Sequence, residues 1–329
     1  MIETHRRALL AGAGFAIIGS AKAQARSVIR VGWPTSDSAQ DPYAIAAHAF
    51  KTEAERRSNN RLDVQLFPNR ALGDERPMLD GLRLGTVDMA VITNAVIAQI
   101  EPSFQINDMP FLFASEAQAQ RGLDGDMGRS LSQRLETRGV VNLGYMEGGF
   151  RQMINNVRPI VNPADVRGVK FRVLQSPIYI GMYTALGGTG VPMAWGETFT
   201  AVQQGAVDGL EIPLAVIDAN RYNEVTKYLS LTNHIYSMIA LLASKRSFER
   251  LPADLRTVVR EAGEAATATQ RTQSLANATA LVESLRGKGM LVNAIADPAA
   301  FRHAVLPMYE SFRGAIGADI VQQALAAAR

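Results

Sequence analysis

Leu82-Arg83-Leu84-Gly85-Thr86-Val87-Asp88-Met89 and, at an offset of 120 residues, Val202-Gln203-Gln204-Gly205-Ala206-Val207-Asp208-Gly209 are the stretches that decide the fold. Each reads as a helix end, a Gly suited to the left-handed cap position, and an Asp leading into an apolar strand. Either this helix–Gly–strand turn simply recurs, as it does throughout α/β proteins, or the chain holds two similarly built lobes. Two α/β lobes would place a ligand cleft between them, near the strand ends.

On either side of the first stretch, strand-like and helix-like segments alternate. Val28–Gly32, Leu62–Phe67 and Val87–Ile92 read as strands, with Tyr43–Arg57 and Glu75–Leu84 as the helices between them. Beyond lie a helix over Ala117–Arg138, the strand Val140–Tyr145, a second strand near Arg151–Asn155 after the turn at Gly148-Gly149, and the strand Val169–Val173. The alternation predicts an α/β architecture with largely parallel sheets. Leu255–Leu285 lacks Pro and is rich in Ala, Thr and Gln. It reads as one extended helix or two abutting ones, long enough to lie across both lobes. Phe301–Phe312 reads as a further amphipathic helix, and the Ala-rich tail after it as a segment that frays.

At 329 residues the chain is long enough for two domains with sizeable cores. Hydrophobic content of 47% with 20% charged residues is that of a folded protein rather than a disordered one. There is no Cys, which excludes disulfides, thiolate metal sites and thiol nucleophiles. Thr4-His5-Arg6-Arg7, the apolar run Ala8–Ile18 and the small-residue stretch Ala21-Lys22-Ala23-Gln24-Ala25 have the layout of a secretory signal peptide cleaved after Ala25. The run is about half the roughly 20 residues of a membrane span, so a permanent anchor is not expected. The Arg pair is compatible with the twin-arginine route and with an ordinary signal. Removing residues 1–25 takes away three basic residues and one acidic one, and the formal charge falls from +3 to +1. No Lys/Arg-rich run remains for nucleic acid.

Signatures of enzymes are missing or misplaced. Gly12-Ala13-Gly14 with Gly19 imitates a dinucleotide loop inside the signal segment, with no strand before it. Asp124-Gly125-Asp126 opens like a calcium loop but ends on Leu135 instead of Glu, and reads as a turn. His5, His48, His234 and His303 have no partners at metal-ligand spacing. No nucleophile–base pair, metal site or cofactor motif stands out, so catalysis is not expected.

Two arginines do stand out. Arg151 follows Gly148-Gly149-Phe150, and Arg172 sits inside the apolar strand Lys170-Phe171-Arg172-Val173. An Arg between Phe and Val must face a cleft or find a counter-charge, either an acidic side chain or an anionic ligand. Guanidinium grips carboxylate through two parallel hydrogen bonds, which fixes orientation as well as charge.

The ordered set Gly168-Val169-Lys170-Phe171-Arg172-Val173, Ala185-Leu186-Gly187, Val191-Pro192-Met193-Ala194-Trp195-Gly196-Glu197, Ala201–Glu211 and Lys227–His234 resembles the central segment of periplasmic solute-binding proteins of TRAP (tripartite ATP-independent periplasmic) transporters, the DctP-type extracytoplasmic receptors. Phe67-Pro68-Asn69, Leu72–Arg76 and Pro110–Phe113 extend the likeness over nearly all of the mature chain. The resemblance implies a two-lobed periplasmic binding fold that closes on a small organic acid, such as a sugar acid, a C4-dicarboxylate or a related hydroxy or keto acid. It would deliver that acid to small and large membrane subunits, as a monomer or homodimer.

Under the same resemblance Arg172 clamps the carboxylate and Arg151 adds a second contact. Gln175, Trp195, Glu211 and His234 line the pocket, faced by Asp41, Glu75, Thr93 and Asn94 from the other lobe. Each has a plainer alternative: Trp195 could pack the hinge, His234 could be a hydrogen-bonded structural residue, and Glu75 could be an exposed first-turn residue. This chain has Ile212 where the family usually has Asn, which favours a ligand with fewer polar groups on that side. The expected division is 26–149 with about 237–277 in the first lobe and 150–236 with about 278–329 in the second. The rival readings are an exported enzyme acting on a carboxylate and a binding protein that feeds a sensor.

Overall fold

The computed structural model describes residues 26–276 and 278–328, so the expected signal peptide lies outside the described residues. Ten strands alternate with helices: β1 Ser27–Gly32, β2 Leu62–Phe67, β3 Met89–Thr93, β4 Val140–Asn155, β5 Lys170–Val173, β6 Thr189–Pro192, β7 Gly209–Pro213, β8 Tyr228–Leu231, β9 Tyr236–Ser244 and β10 Leu291–Ala294. Their order is β2-β1-β3-β9-β4-β7-β5-β6, with β8 on β4 and β10 on β8.

The sequence echo proves to be an architectural one. In the first lobe β1 pairs in parallel with β2 and β3, and β3 pairs antiparallel with β9. In the second, β5 pairs in parallel with β6 and β7, and β7 pairs antiparallel with β4. Each lobe is thus a β-α-β-α-β unit closed by one antiparallel strand, so the sheets are mixed and not largely parallel. Gly85 and Gly205 both adopt positive φ, 82° and 72°, at corresponding helix ends. The Asp that follows each ties down a strand at the start of its sheet: Asp88 accepts from Arg30 N and Asp208 from Lys170 N.

Local signals account for the element boundaries. Asp41 caps Pro42–Arg57 by accepting from Tyr43 N and Ala44 N, and Asp74 caps Glu75–Leu84, which ends at Gly85. The expected helix over 117–138 is broken at Gly125 into Glu116–Asp124 and Asp126–Thr137. Phe301–Phe312 likewise divides at Pro307, which lacks the amide N–H a continuous helix needs, into Pro298–Val305 and Met308–Ile316.

The two strands expected around Gly148-Gly149 are one. β4 runs from Val140 to Asn155 with register shifts at Asn142/Gly144 and Glu147/Gly149. Gly149 absorbs the second shift at φ 92°, a backbone state strained for any residue with a side chain. Up to Phe150 the strand pairs with β9; from Arg151 it pairs with β7 and, further along, β8. Its main pairing partner changes between those two residues.

The helices Ala253–Ala276 and Ala278–Gly287 flank residue 277 and divide the work of spanning the molecule. The first packs on Pro42–Arg57 and β4, the second on Leu214–Ala219. Gln270, fully buried, accepts from Glu147 N and donates to Glu147 O, tying the long helix to the bulge in β4. The tail does not fray. Ala318–Ala327 is a helix whose Ile320 and Ala324 are buried, and with Met308–Ile316 it packs on Pro102–Asp108 and Glu116–Thr137. Arg134 bonds Asp319 at 2.6 Å there. Met308–Ile316 also packs on Pro177–Ala185, so these last helices, expected with the second lobe, touch elements of both. No helix among the described residues is long and apolar enough to cross a membrane.

Candidate functional site

The C-terminal ends of β1, β3, β5 and β7 point into the space between the lobes, where α/β proteins place ligands. Here lies a narrow cavity of about 20 Å³, room for about one water in this closed form. Arg151, Arg172, Glu75, Thr93 and Trp195, all expected at the ligand site, line it together with Ile212.

Arg172 is 1% exposed. Its Nε and Nη2 donate to Met193 O at 3.1 and 2.7 Å, and the Trp195 ring centre is 5.9 Å from the guanidinium carbon. Its Nη1 is buried with no hydrogen-bond partner among the described residues. Burial lowers its proton affinity, because none of these neighbours bonds it with a full negative charge. This is a desolvated cation with one donor left over, a costly arrangement unless an anion completes it.

Arg151 solves the same problem internally. Its Nε and Nη2 bond the two carboxylate oxygens of Glu211, Nη2 also donates to Glu211 O at 2.6 Å, and Nη1 donates to Ser237 Oγ at 3.0 Å. Burial alone would lower Arg151, but the Glu211 carboxylate raises it instead. Burial would raise Glu211, and Arg151 with His234 holds it below its ordinary value. His234 Nε2 lies 3.3 Å from Glu211 and Nδ1 2.7 Å from Thr232 Oγ1, so the imidazole is fully committed. Glu211 and His234 are the backing of Arg151 and do not line the cavity.

Three further expectations fall away from the cavity. Asn94 turns aside to Phe104 O and Asn107, because it opens a helix directly after Thr93. Gln175 is exposed and contributes only its carbonyl, to Gln99 Nε2 at 3.1 Å. Asp41 is buried behind Thr35, 2.8 Å from its hydroxyl, and takes Asn220 Nδ2 from the opposite lobe at 3.1 Å. Asn220 also accepts from Ser36 N, and Asp74 accepts from Gly196 N at 2.9 Å. The rims of the cleft are therefore bonded across, and the lobes are closed on each other.

Sequence reasoning missed Thr35, Tyr43, Leu174, Pro213, Val216 and Ser237 as lining residues. Thr35 and Leu174 follow the ends of β1 and β5, a position that could have been read from the strands. Tyr43 and Ser237 arrive through packing of the closed chain and carry no local signal.

Glu75 accepts from Thr93 N at 2.7 Å, and burial pushes its carboxyl from the ordinary 4.5 up to about 7. Between those values the folded state holds a proton that the unfolded chain has released. The resulting stabilisation is complete below the lower value and is lost as pH rises through the upper one. The denaturation midpoint of the wild type should therefore fall relative to Glu75→Gln between about pH 5 and pH 8. Parallel pH curves for the two proteins would contradict the assignment.

A two-lobed α/β protein closed over a small cavity with an uncompensated guanidinium has the build of a solute receptor. Comparison with known proteins agrees: the model of the bacterial extracellular solute-binding protein family 7 (DctP) matches residues 35–314, and the chain belongs to that family. The 2,3-diketo-L-gulonate-binding periplasmic protein of Escherichia coli is 35% identical over 254 residues, which cover 77% of this chain and 76% of that protein. A TRAP periplasmic solute-binding protein from Polaromonas, solved with D-erythronate, superposes with a TM-score of 0.88 at 33% identity, covering 92% of this chain and 99% of that one. A sugar-acid-binding protein from Advenella mimigardefordensis, in complex with galactonate, gives 0.89 at 32% identity, with coverage of 92% and 98%.

Proposed function

We propose that the chain captures a small organic acid in the periplasm and hands it to the membrane subunits of a TRAP transporter, without catalysis. The observation that carries the proposal is the buried Arg172, with an unpartnered Nη1, in the wall of the interlobe cavity. A ligand carboxylate there supplies both the missing acceptor and the missing charge. The relatives that bind a keto-gulonate, erythronate and galactonate support the ligand class. Both walls touch the ligand only when the lobes are together, so binding shifts the population towards the closed form, with Gly149 in β4 as a pivot. Export through the segment ending near Ala25 places the receptor where such acids enter.

The test is a thermal-shift and calorimetric screen of the mature protein, stripped of ligand by unfolding and refolding, against sugar acids and C4 acids. A bound acid at about 100 times its dissociation constant adds roughly 2.7 kcal/mol of stability. Absence of any shift with every acid overturns the proposal.

A further inference from the structure

The two walls of the cleft differ in kind. The first lobe contributes Thr35, Tyr43, Glu75, Thr93 and Ser237, groups able to donate or accept hydrogen bonds, beside Pro34 and Gly148. Apart from its two arginines and the indole N–H of Trp195, the second lobe contributes only the apolar Leu174, Ile212, Pro213 and Val216. Charge is divided as sharply. Arg151 is matched by Glu211, which grips it through both carboxylate oxygens, so the pair is neutral before any ligand arrives. That leaves Arg172 as the one cation lining the cavity, among the described residues, without a bonded carboxylate. The one carboxyl lining the cavity, Glu75, stands on the opposite wall.

Building on the organic-acid reading, we infer that the cleft selects a short hydroxy monocarboxylate and rejects dicarboxylates. The carboxylate sits on Arg172, the hydroxyl edge faces Glu75 and the hydroxyls of the first lobe, and the C–H edge faces Ile212 and its apolar neighbours. A second carboxylate has no uncommitted cation to meet. Turned towards the first lobe it confronts Glu75; turned towards the second it is buried against Ile212, Pro213 and Val216. The first arrangement is a like-charge contact, the second a buried unpaired charge. A hydroxyl, by contrast, can donate to the free oxygen of Glu75, whose other oxygen is held by Thr93 N.

The test uses chain-matched pairs: erythronate against tartrate, and galactonate against galactarate. Each is titrated calorimetrically into the stripped mature protein at about pH 8, where Glu75, with its carboxyl near 7, is ionised. The expected result is binding of a monocarboxylate, with its dicarboxylate partner weaker by about 100-fold or more. In Glu75→Gln that ratio should shrink by about tenfold or more, because one like charge has been removed. A dicarboxylate that binds as tightly as its partner overturns the inference while leaving the organic-acid receptor intact. If neither member of any pair binds, and no other acid does, it is the receptor reading that fails and this inference with it. A ratio that is unchanged in Glu75→Gln overturns the role given to Glu75.

Discussion

Arg172→Met is expected to abolish acid binding, by about 100-fold or more in affinity, while the ligand-free protein stays folded and is at least as stable as the wild type. Two effects compete in the ligand-free state. The substitution removes the two donors to Met193 O, a half-buried carbonyl whose loss of partners costs at most about 1–3 kcal/mol. It also removes a desolvated cation that no bonded carboxylate compensates, a burden of several kcal/mol that an apolar side chain of similar volume does not carry. The second effect is larger, so the denaturant midpoint should hold or rise. Arg172→Lys, which keeps the charge and loses the planar fork, should bind weakly. A midpoint that drops for Arg172→Met by more than about 3 kcal/mol would show that the guanidinium holds the fold together and would remove the reason for giving it a ligand.

Glu211→Ala should have the opposite profile, a loss of about 3–5 kcal/mol of folding stability. Its carboxylate is fully buried between Arg151 and His234, and its removal leaves the Arg151 charge with only Ser237 Oγ and one carbonyl as partners. Replacing both members of the pair together, as Arg151→Met with Glu211→Leu, removes the stranded charge along with its partner. The double variant should recover much of the stability lost in Glu211→Ala, giving a large interaction term in a double-mutant cycle. Additive losses would mean that the two residues do not act as a pair. Arg151 and Arg172 are thus chemically alike but opposite in role: one is finished by the protein, the other is left for the ligand.

That distinction marks where the sequence stopped being readable. A charged residue between Phe171 and Val173 announces that something must compensate it, and the same holds for Arg151 after its glycines. What compensates it depends on β7 being laid beside β4, which brings Glu211 to Arg151 across 60 residues of chain. No local pattern encodes that pairing. Elements whose signals are local were legible: Leu62–Phe67 by alternation, and Glu75–Leu84 up to its stop at Gly85. The duplicated helix–Gly–strand turn was legible too, because each lobe needs a left-handed residue at that helix end. The glycines at 148–149 misled for a related reason. A bulge and a turn both call for positive φ, and only the partner strand decides which of them forms. Asn94 and Gln175 were lost to the neighbour problem: one position along the chain from a lining residue, a side chain points elsewhere.

The bulge in β4 also sets the mechanics of the cleft. Arg151 lies two residues from Gly149, so one of the two arginines of the cavity wall sits beside the proposed pivot. Asn220 and Asp41 bond each other from opposite sides of the cleft, as do Asp74 and Gly196. Opening of the cleft has to break these bonds. In the proposed closure these bonds act as a catch on the shut cleft, separate from the inner charges that hold the acid within it.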